Sequence, residues 1–206
     1  MMKKGASLMF GQFQEIYELA KPFLDTRNND IHMKVSYAFC NKLLETEGGV
    51  QSVAKPAIIL HDVGWKMVPE ELQLKAFGPI DYDRTINRIH EVEGARIARE
   101  ILEQLGWDAV VIDEIAEIIL GHDSRKTPLS TSDAVVKDAD KLWRYSSEAL
   151  VIDCERFGID PAIHVEWLGK QIDGWFITDT GVKLAREELQ SRFTSLPVQK
   201  NTSNQT

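Results

Sequence analysis

The residues with the clearest capacity for chemistry are a small set of histidines and aspartates. The chain has five histidines, and His61 is followed directly by the acidic residue Asp62. Imidazole and carboxylate groups, without cysteine thiolates, are typical ligands of divalent transition metals. The sequence therefore indicates a metal site built from groups that lie far apart in the chain. The candidate ligands are His32, His61, Asp62, His90, His122 and Asp140.

Six ligand groups are more than one open metal site needs, and they suffice for two ions if one carboxylate is shared. Asp62 is the natural shared ligand because it follows His61 directly and can reach past it. Paired metal ions about 3.5–4 Å apart generate hydroxide near neutral pH and stabilise the attacking and leaving oxygens of a phosphoryl displacement. The residue types therefore favour metal-assisted hydrolysis.

These groups can meet only if helices bring them together, and helical periodicity dominates the sequence. One helix is predicted from Asp30 to about Glu45, with His32 near its start. A second apolar stretch, Val53 to Leu60, leads directly into His61. In an antiparallel helix pair with a short loop, the start of the first helix and the end of the second lie at the same end. We therefore expect His32 to converge with His61 and its neighbouring carboxylate.

The same reasoning applies one helix pair later. A long helix is predicted from Tyr82 to Leu105 and carries His90, and the next helix, Ala109 to about Gly121, ends beside His122. Asp140 lies within a helix predicted from Asp133 to Trp143. Two further helices are predicted near residues 161–175 and 180–193. The predicted fold is a single all-α bundle of about eight or nine helices.

Composition limits the classes of protein to which this chain can belong. Hydrophobic residues make up 43% of the chain and charged residues 27%, which is typical of a globular protein and excludes disorder. The 24 basic and 32 acidic residues give a formal net charge of −8, which opposes binding to a nucleic-acid polymer or an anionic membrane surface. An anionic substrate would need local positive charge, from a metal or from clustered lysines and arginines.

The cysteines and the termini indicate a reducing, non-membrane environment. Cys40 and Cys154 have no C-x-x-C spacing, which argues against a disulfide scaffold and against a thiolate zinc site. No stretch reaches the roughly 18 apolar residues of a membrane span, and the N-terminal residues do not form a signal peptide. We expect a cytoplasmic protein.

The order of these residues resembles a known family. His32, His61-Asp62 and Asp140 follow the H…HD…D signature of the HD-domain superfamily of metal-dependent phosphohydrolases. Residues 61–64, HDVG, are similar to its HD-[IV]-G variant, and residues 90–95, HEVEGA, are similar to its H-x-x-x-G-A segment. Residues 138–142 read DADKL, as in the family. The resemblance covers roughly residues 28–146.

The resemblance implies a domain layout and an activity. It implies an HD-domain core over residues 28–146. Outside this core we expect an N-terminal helical segment (1–27) packing on it, C-terminal helices of the same domain (147–196) and, from its polar and aperiodic composition, a disordered tail (197–206). The implied activity is hydrolysis of a phosphoester or phosphoanhydride of a nucleotide or small phosphorylated metabolite by metal-bound hydroxide. The implied cofactors are one or two divalent transition metal ions, with Fe, Mn, Co, Ni and Zn as candidates and Mg as a further one.

The family pattern also assigns the ligands to two sites. Those of the first metal are His32, His61, Asp62 and Asp140. Those of the second are His90 and His122, with Asp62 shared. Of the two aspartates in the DADKL segment, the pattern favours the second, and residues two apart on a helix point about 200° apart. Asp138 therefore cannot share the face of Asp140.

Four basic residues are candidate contacts for a small phosphorylated substrate: Lys66, Arg88, Lys141 and Arg144. Lys141 and Arg144 rise from the helix of Asp140, and Lys141 is taken with Asp62 as catalytic. Lys66 stands one place beyond the lysine of the family's commonest HDIGK segment. Arg88 lies near His90, but pairing with Glu91 on a solvated face explains it equally well.

Two other functions are open at this point. The same ligand set occurs in a mixed-valent di-iron oxygenase branch, and a ligand-sensing or interaction module stabilised by metal needs no catalysis at all. Residues 147–195 either close the pocket or form a homodimer interface. Asp123 either orients His122 or lies on the surface. Trp65, beside the His-Asp pair, is the one tryptophan expected to line the pocket.

Overall fold

The structure is a computed structural model that describes residues 9–76 and 83–195. Over these residues it contains ten α-helices and no β-strand. The helices are α1 (Gln14–Leu24), α2 (Asn29–Glu47), α3 (Gln51–Leu60), α4 (Glu70–Gln73), α5 (Arg84–Gln104), α6 (Ala109–Leu120), α7 (Thr131–Leu142), α8 (Ser147–Phe157), α9 (Pro161–Trp175) and α10 (Asp179–Ser195).

The all-α prediction is confirmed, and the helices are slightly more numerous than expected. The additional elements are α8 and the single turn α4, whose short stretches show no clear apolar periodicity. Short 3-10 helices lie between some of the longer elements, and one of them, Val63–Met67, follows α3. Within the described residues, no helix combines the length and the apolar character that crossing a membrane requires.

The centre of the bundle is α3, which packs against α2, α6 and α7. Seven of its ten residues are buried, as expected for a helix that is apolar on all sides. Its fully buried residues Ile58 and Leu60 join Leu102 of α5 and Ile115 of α6 in one hydrophobic core. The site elements are therefore fixed to one another by a common apolar interior.

The terminal helices share this core. On one side, α1 buries Ile16, Ala20 and Leu24 in it. On the other, α10 packs against α9, α7 and α2 and contributes Ala185 and Leu189. The predicted tail, 197–206, lies outside the described residues.

Helix ends place the candidate ligands at one end of the bundle. His32 lies in the first turn of α2, His61 directly follows α3, and His122 follows α6 after one glycine. Asp140 lies in the last turn of α7, and His90 lies in the second turn of α5. The convergence expected from antiparallel helix pairs is the arrangement observed.

Two glycines allow the segment after α3 to lie directly on α5. A Cβ atom on Gly64 would lie 2.0 Å from the His90 carbonyl oxygen and 2.4 Å from the Gly94 nitrogen. Such contacts are far shorter than van der Waals distances, so no other residue fits at position 64 without backbone movement. This close approach brings Asp62 and His90 within reach of each other, which explains the glycines in the HDVG and HEVEGA segments.

Candidate metal centre

Three of the predicted ligands form a first group at the meeting point of α2, α3 and α7. His32 Nε2 lies 2.9 Å from Asp140 Oδ1, and His61 Nε2 lies 3.4 Å from the same oxygen. The ligand atoms of His32, His61 and Asp140 all lie within 4.8 Å of one another, close enough to hold one metal ion.

The other three form a second group beside the first. His90 Nε2 and His122 Nε2 are 3.2 Å apart. Asp62 Oδ1 lies 3.8 Å from the former and 3.6 Å from the latter. These three residues are buried, and their ligand atoms also all lie within 4.8 Å of one another.

Asp62 stands between the two groups, with one carboxylate oxygen toward each. Its Oδ2 lies 3.1 Å from His32 Nδ1 and 3.7 Å from His61 Nε2, whereas Oδ1 faces the second group. Trp65 Nε1 donates a hydrogen bond to Oδ1 at 3.0 Å, and Asn29 Nδ2 donates to the Asp62 carbonyl at 3.3 Å. The carboxylate is therefore held between the two groups.

Two imidazole rings are oriented as metal ligands by the helix ends on which they lie. His61 Nδ1 donates to the Ile58 carbonyl, and His122 Nδ1 donates to the Ile119 carbonyl, each at 2.8 Å. The last carbonyls of a helix lack partners within the helix, so they are available to accept these bonds. A backbone acceptor on Nδ1 leaves Nε2 with its lone pair toward the cluster. His61 Nε2 is buried without a hydrogen-bond partner.

The spacing of the ligand atoms also fits a cation. A metal with tetrahedral nitrogen ligands at about 2.0–2.1 Å holds those atoms about 3.3 Å apart. The distances within the two groups, from 2.9 to 3.8 Å, bracket that value. The orphaned His61 nitrogen and the absence of thiolates agree with a divalent transition metal.

Charges within the cluster show that the carboxylates of Asp62, Asp140 and Asp123 dominate it. Burial opposes protonation of His32, but hydrogen bonds with Asp140 and Asp62 outweigh burial and raise its pKa to about 9. Burial likewise opposes the charge on His122, yet Asp123 and Asp62 raise its pKa to about 10. Burial and the neighbouring His122 lower the pKa of His90 to about 4. Protons thus neutralise the carboxylates here, and metal binding would displace them.

The turn that carries His122 is fastened from two sides. Glu91 of α5 is fully buried and accepts hydrogen bonds from the backbone nitrogens of Asp123 (3.0 Å) and Ser124 (2.9 Å). Lys137 of α7, also buried, donates to the carbonyls of Gly121 and His122. Neither residue was recognised in the sequence, where both read as ordinary charged helix residues.

Three of the four predicted substrate contacts are not among the residues that line the cavity beside the ligands. Lys66 donates to the Asp25 carbonyl at 3.1 Å, because the lysine shifted by one place points along the surface. Arg88 binds Glu91 at 2.7 Å and the Leu120 carbonyl, which makes it part of the fastening of the His122 turn. Lys141 is half-buried and outside the cavity wall. Arg144 alone of the four lines the cavity.

The cavity has a volume of about 210 Å³ and includes residues that sequence reasoning missed. Besides ligands, its wall contains Arg27, Trp65, Asp123, Trp143, Arg144 and Arg156. Trp65 and Arg144 were expected there, but the expectation that Trp65 is the one tryptophan in the wall was wrong, because Trp143 stacks on His32 and also lines the cavity. Arg27 lies two residues before the start of α2, and its nearness to His32 in the sequence is the signal that could have identified it. Arg156 lies in α8, beyond the resembling segment, and reaches the cavity only through tertiary packing.

Two other predictions concern residues near the ligands. Asp123 Oδ2 lies 3.6 Å from His90 Nε2 and 3.9 Å from His122 Nε2, so its carboxylate faces the second group. Asp138 points away from the site and accepts hydrogen bonds from Ile177 N (2.9 Å) and Thr178 N (2.8 Å). The helix geometry that separates Asp138 from Asp140 is therefore present.

Comparison with known proteins points to one family. The family model of the HD domain matches residues 29–144, which is more than half of the chain. The fold is similar to that of a crystal structure described as a predicted HD superfamily hydrolase from an uncultured Thermotogales bacterium, with a TM-score of 0.57 and 20% sequence identity. That similarity covers 89% of this chain and 92% of the other. No curated protein matches the chain.

Proposed function

Because the chain belongs to the HD domain family, we propose that it is a metal-dependent phosphohydrolase. Its substrate is a phosphoester or phosphoanhydride of a nucleotide or small phosphorylated metabolite. The observation that supports this proposal most strongly is the division of six ligands into two sets of three, with the two oxygens of Asp62 directed one toward each set.

The chain's own residues would hold two divalent ions. His32, His61 and Asp140 would bind the first, with Asp62 Oδ2 beside them. His90, His122 and Asp62 Oδ1 would bind the second. When bound, such a pair of ions activates water and neutralises charge on phosphoryl oxygens.

The surrounding residues prepare the site for this chemistry. Despite opposing burial, the charge of His61 and hydrogen bonds from His122 and His32 hold the pKa of Asp62 well below its usual range. Asp62 is therefore anionic at any working pH. Trp65, Glu91 and Lys137 fix the groups that carry the ligands. Ligands held in this way lose little freedom when a cation binds.

A substrate screen with paired variants tests the proposal. The protein is purified without a histidine tag, loaded with Mn, Fe, Co, Ni or Mg, and assayed for phosphate release from nucleotides and sugar phosphates. We expect release by the wild type and none by Asp62→Asn or His61→Gln. His164→Gln is the matched control, because His164 stacks on Trp167 in α9 outside the candidate ligand groups, and this variant should keep the activity.

Three results would refute the proposal. One is phosphate release that survives both ligand substitutions. Another is iron-dependent oxygen consumption without phosphate release, which would indicate an oxygenase. The third is stoichiometric metal without turnover on any substrate, which would indicate a metal-stabilised sensing or interaction module.

A further inference from the structure

Three arginines from separate parts of the chain line the cavity that contains His32, Asp62 and Asp140. Arg27 lies in the loop between α1 and α2, Arg144 follows α7, and Arg156 belongs to α8. The whole chain carries a formal charge of −8, so this concentration of cations is a local feature. Tertiary packing brings Arg27 to the other two, since Arg27 is far in sequence from Arg144 and Arg156, which are 12 residues apart.

Specific contacts hold the three guanidinium groups. The guanidinium carbon of Arg27 lies 3.8 Å from the centre of the Trp65 ring, and Trp65 also stacks on His90 at 4.1 Å. Arg156 Nη2 donates to the Arg27 carbonyl at 2.9 Å. The arginines are thus positioned against the element that carries the metal ligands.

One buried carboxylate pairs with two of these arginines. Asp153 of α8 is 1% exposed. Its Oδ1 lies 3.3 Å from Arg156 Nη1, and its Oδ2 lies 3.7 Å from Arg144 Nη1. Asp153 therefore positions the Arg144 and Arg156 guanidinium groups in the lining of the cavity that Arg27 also lines.

Burial and the neighbouring charges both act on the titration of Arg27. Burial lowers the pKa of Arg27 to about 9; the charge of Asp62 opposes this shift, and the repulsion from Arg156 and Arg144 adds to it. An anion bound among the three would relieve this repulsion. Guanidinium groups suit phosphate in particular, because their planar donors pair with two oxygens at once.

We propose that Arg27, Arg144 and Arg156 form a subsite for a dianionic phosphoryl group. The enzyme therefore prefers phosphomonoesters and terminal phosphates to phosphodiesters. This inference rests on the proposed phosphohydrolase function. A phosphomonoester loses its second proton near pH 6 and is a dianion at pH 8, whereas a diester carries one charge, so a cluster of three cations discriminates between them.

Binding of inorganic phosphate tests the subsite without turnover. Titration calorimetry is done on the manganese-loaded wild type and on Arg144→Gln and Arg27→Gln at pH 8. Loss of a hydrogen bond between charged groups weakens binding by about tenfold to a hundredfold, and we expect a dissociation constant larger by that factor in each variant. Arg99→Gln is the matched control, because Arg99 pairs with Asp113 on the exposed face of α5, and it should bind phosphate like the wild type.

Metal content and the thermal unfolding midpoint identify variants that fold normally. Arg144 is the primary position, since 38% of its side chain is exposed and its removal disturbs little. Arg27→Lys keeps the charge but not the planar fork, and it should show an intermediate loss. Folded Arg144→Gln and Arg27→Lys variants that bind phosphate within twofold of the wild type overturn the subsite.

A second measurement separates this inference from the proposed function. The ratio of kcat/KM for p-nitrophenyl phosphate to that for bis-p-nitrophenyl phosphate should favour the monoester in the wild type and fall at least tenfold in Arg144→Gln. Wild-type preference for the diester, or an unchanged ratio in the variant, overturns the subsite while leaving a hydrolase that depends on Asp62. Arginine-dependent phosphate binding without any hydrolysis supports the subsite and refutes the function.

Discussion

The close approach of Gly64 to α5 allows a quantitative prediction for Gly64→Ala. The added Cβ atom would lie 2.0 Å from the His90 carbonyl oxygen and 2.4 Å from the Gly94 nitrogen, where ordinary contact begins at 3.4 Å. Both obstacles are backbone atoms, which cannot rotate aside. The segment Val63–Met67 must therefore move from α5 by more than about 1 Å, a gap that forfeits a quarter to a half of each dispersion contact.

The expected cost follows from the buried residues on that segment. Val63 and Trp65 are buried, and Trp65 stacks on His90, so their contacts with α5 weaken together. Overpacking of this kind costs about 1–3 kcal/mol and occasionally more, and two backbone obstacles place Gly64→Ala at about 3 kcal/mol or above. The same movement separates Asp62 from His90, so affinity for the second metal should also fall.

Urea unfolding of chelator-treated protein, followed by circular dichroism, measures this cost without a contribution from metal binding. A graded series of glycine variants supplies the controls. At Gly94 the nearest atoms to an added Cβ lie at 3.2 Å, and at Gly174 in α9 nothing lies within 4 Å. Gly94→Ala should lose about 1 kcal/mol, and Gly174→Ala should gain up to about 0.5–1 kcal/mol. The packing argument fails if Gly64→Ala unfolds within about 0.5 kcal/mol of the wild type.

Three further predictions concern buried groups around the site and core. Glu91→Gln should weaken binding of the second metal ion about tenfold to a hundredfold, because the turn that carries His122 loses its charged hydrogen-bond acceptor. Competition with a metal indicator measures this affinity, and an unchanged affinity contradicts the prediction. Asp138→Ala should lower the free energy of unfolding by about 1–3 kcal/mol and keep its metal, whereas Asp140→Ala should lose metal. Elemental analysis together with thermal unfolding distinguishes the two variants, and metal loss in Asp138→Ala would contradict the choice of Asp140 as the ligand. Burial raises the pKa of the Cys40 thiol to about 12 and leaves the thiol protonated at pH 8. A disulfide reagent should therefore label the partly exposed Cys154 first and Cys40 only on unfolding, and early labelling of Cys40 would contradict its burial.

Much of the fold and the grouping of the candidate ligands could be predicted because both depend on local patterns. Apolar spacing defines helices such as α2 and α3, and a short loop between antiparallel helices forces His32 and His61 to one end. Gly64 and Gly94 also lie in recognisable segments. Their packing role is visible only when the two backbones are seen in contact.

The contacts of the basic residues near the cavity could not be predicted in the same way. Arg88 lies two residues before His90, but Glu91 and the Leu120 carbonyl bind its guanidinium. Arg156 reaches the cavity beside the loop that precedes α2, where its guanidinium binds the Arg27 carbonyl. No periodicity or motif encodes that contact, since it depends on how distant helices are arranged.

Glu91 and Lys137 illustrate a different limit. In the sequence each is a charged residue on an amphipathic helix, which is usually a solvated position. In the structure both are fully buried and bind backbone groups of residues 121–124. Their role depends on the backbone groups that follow the end of α6, which tertiary packing places beside Glu91 and Lys137.

Metal stoichiometry tests the central claim, that two sets of ligands meet at Asp62, most directly. Protein purified without a histidine tag is saturated with manganese or iron, freed of excess metal, and analysed for metal per chain together with Asp62→Asn and His122→Gln. We expect two ions per chain in the wild type, one in His122→Gln, and fewer than one in Asp62→Asn. Wild-type protein that retains no metal, or an Asp62→Asn variant that retains two ions, would contradict the account.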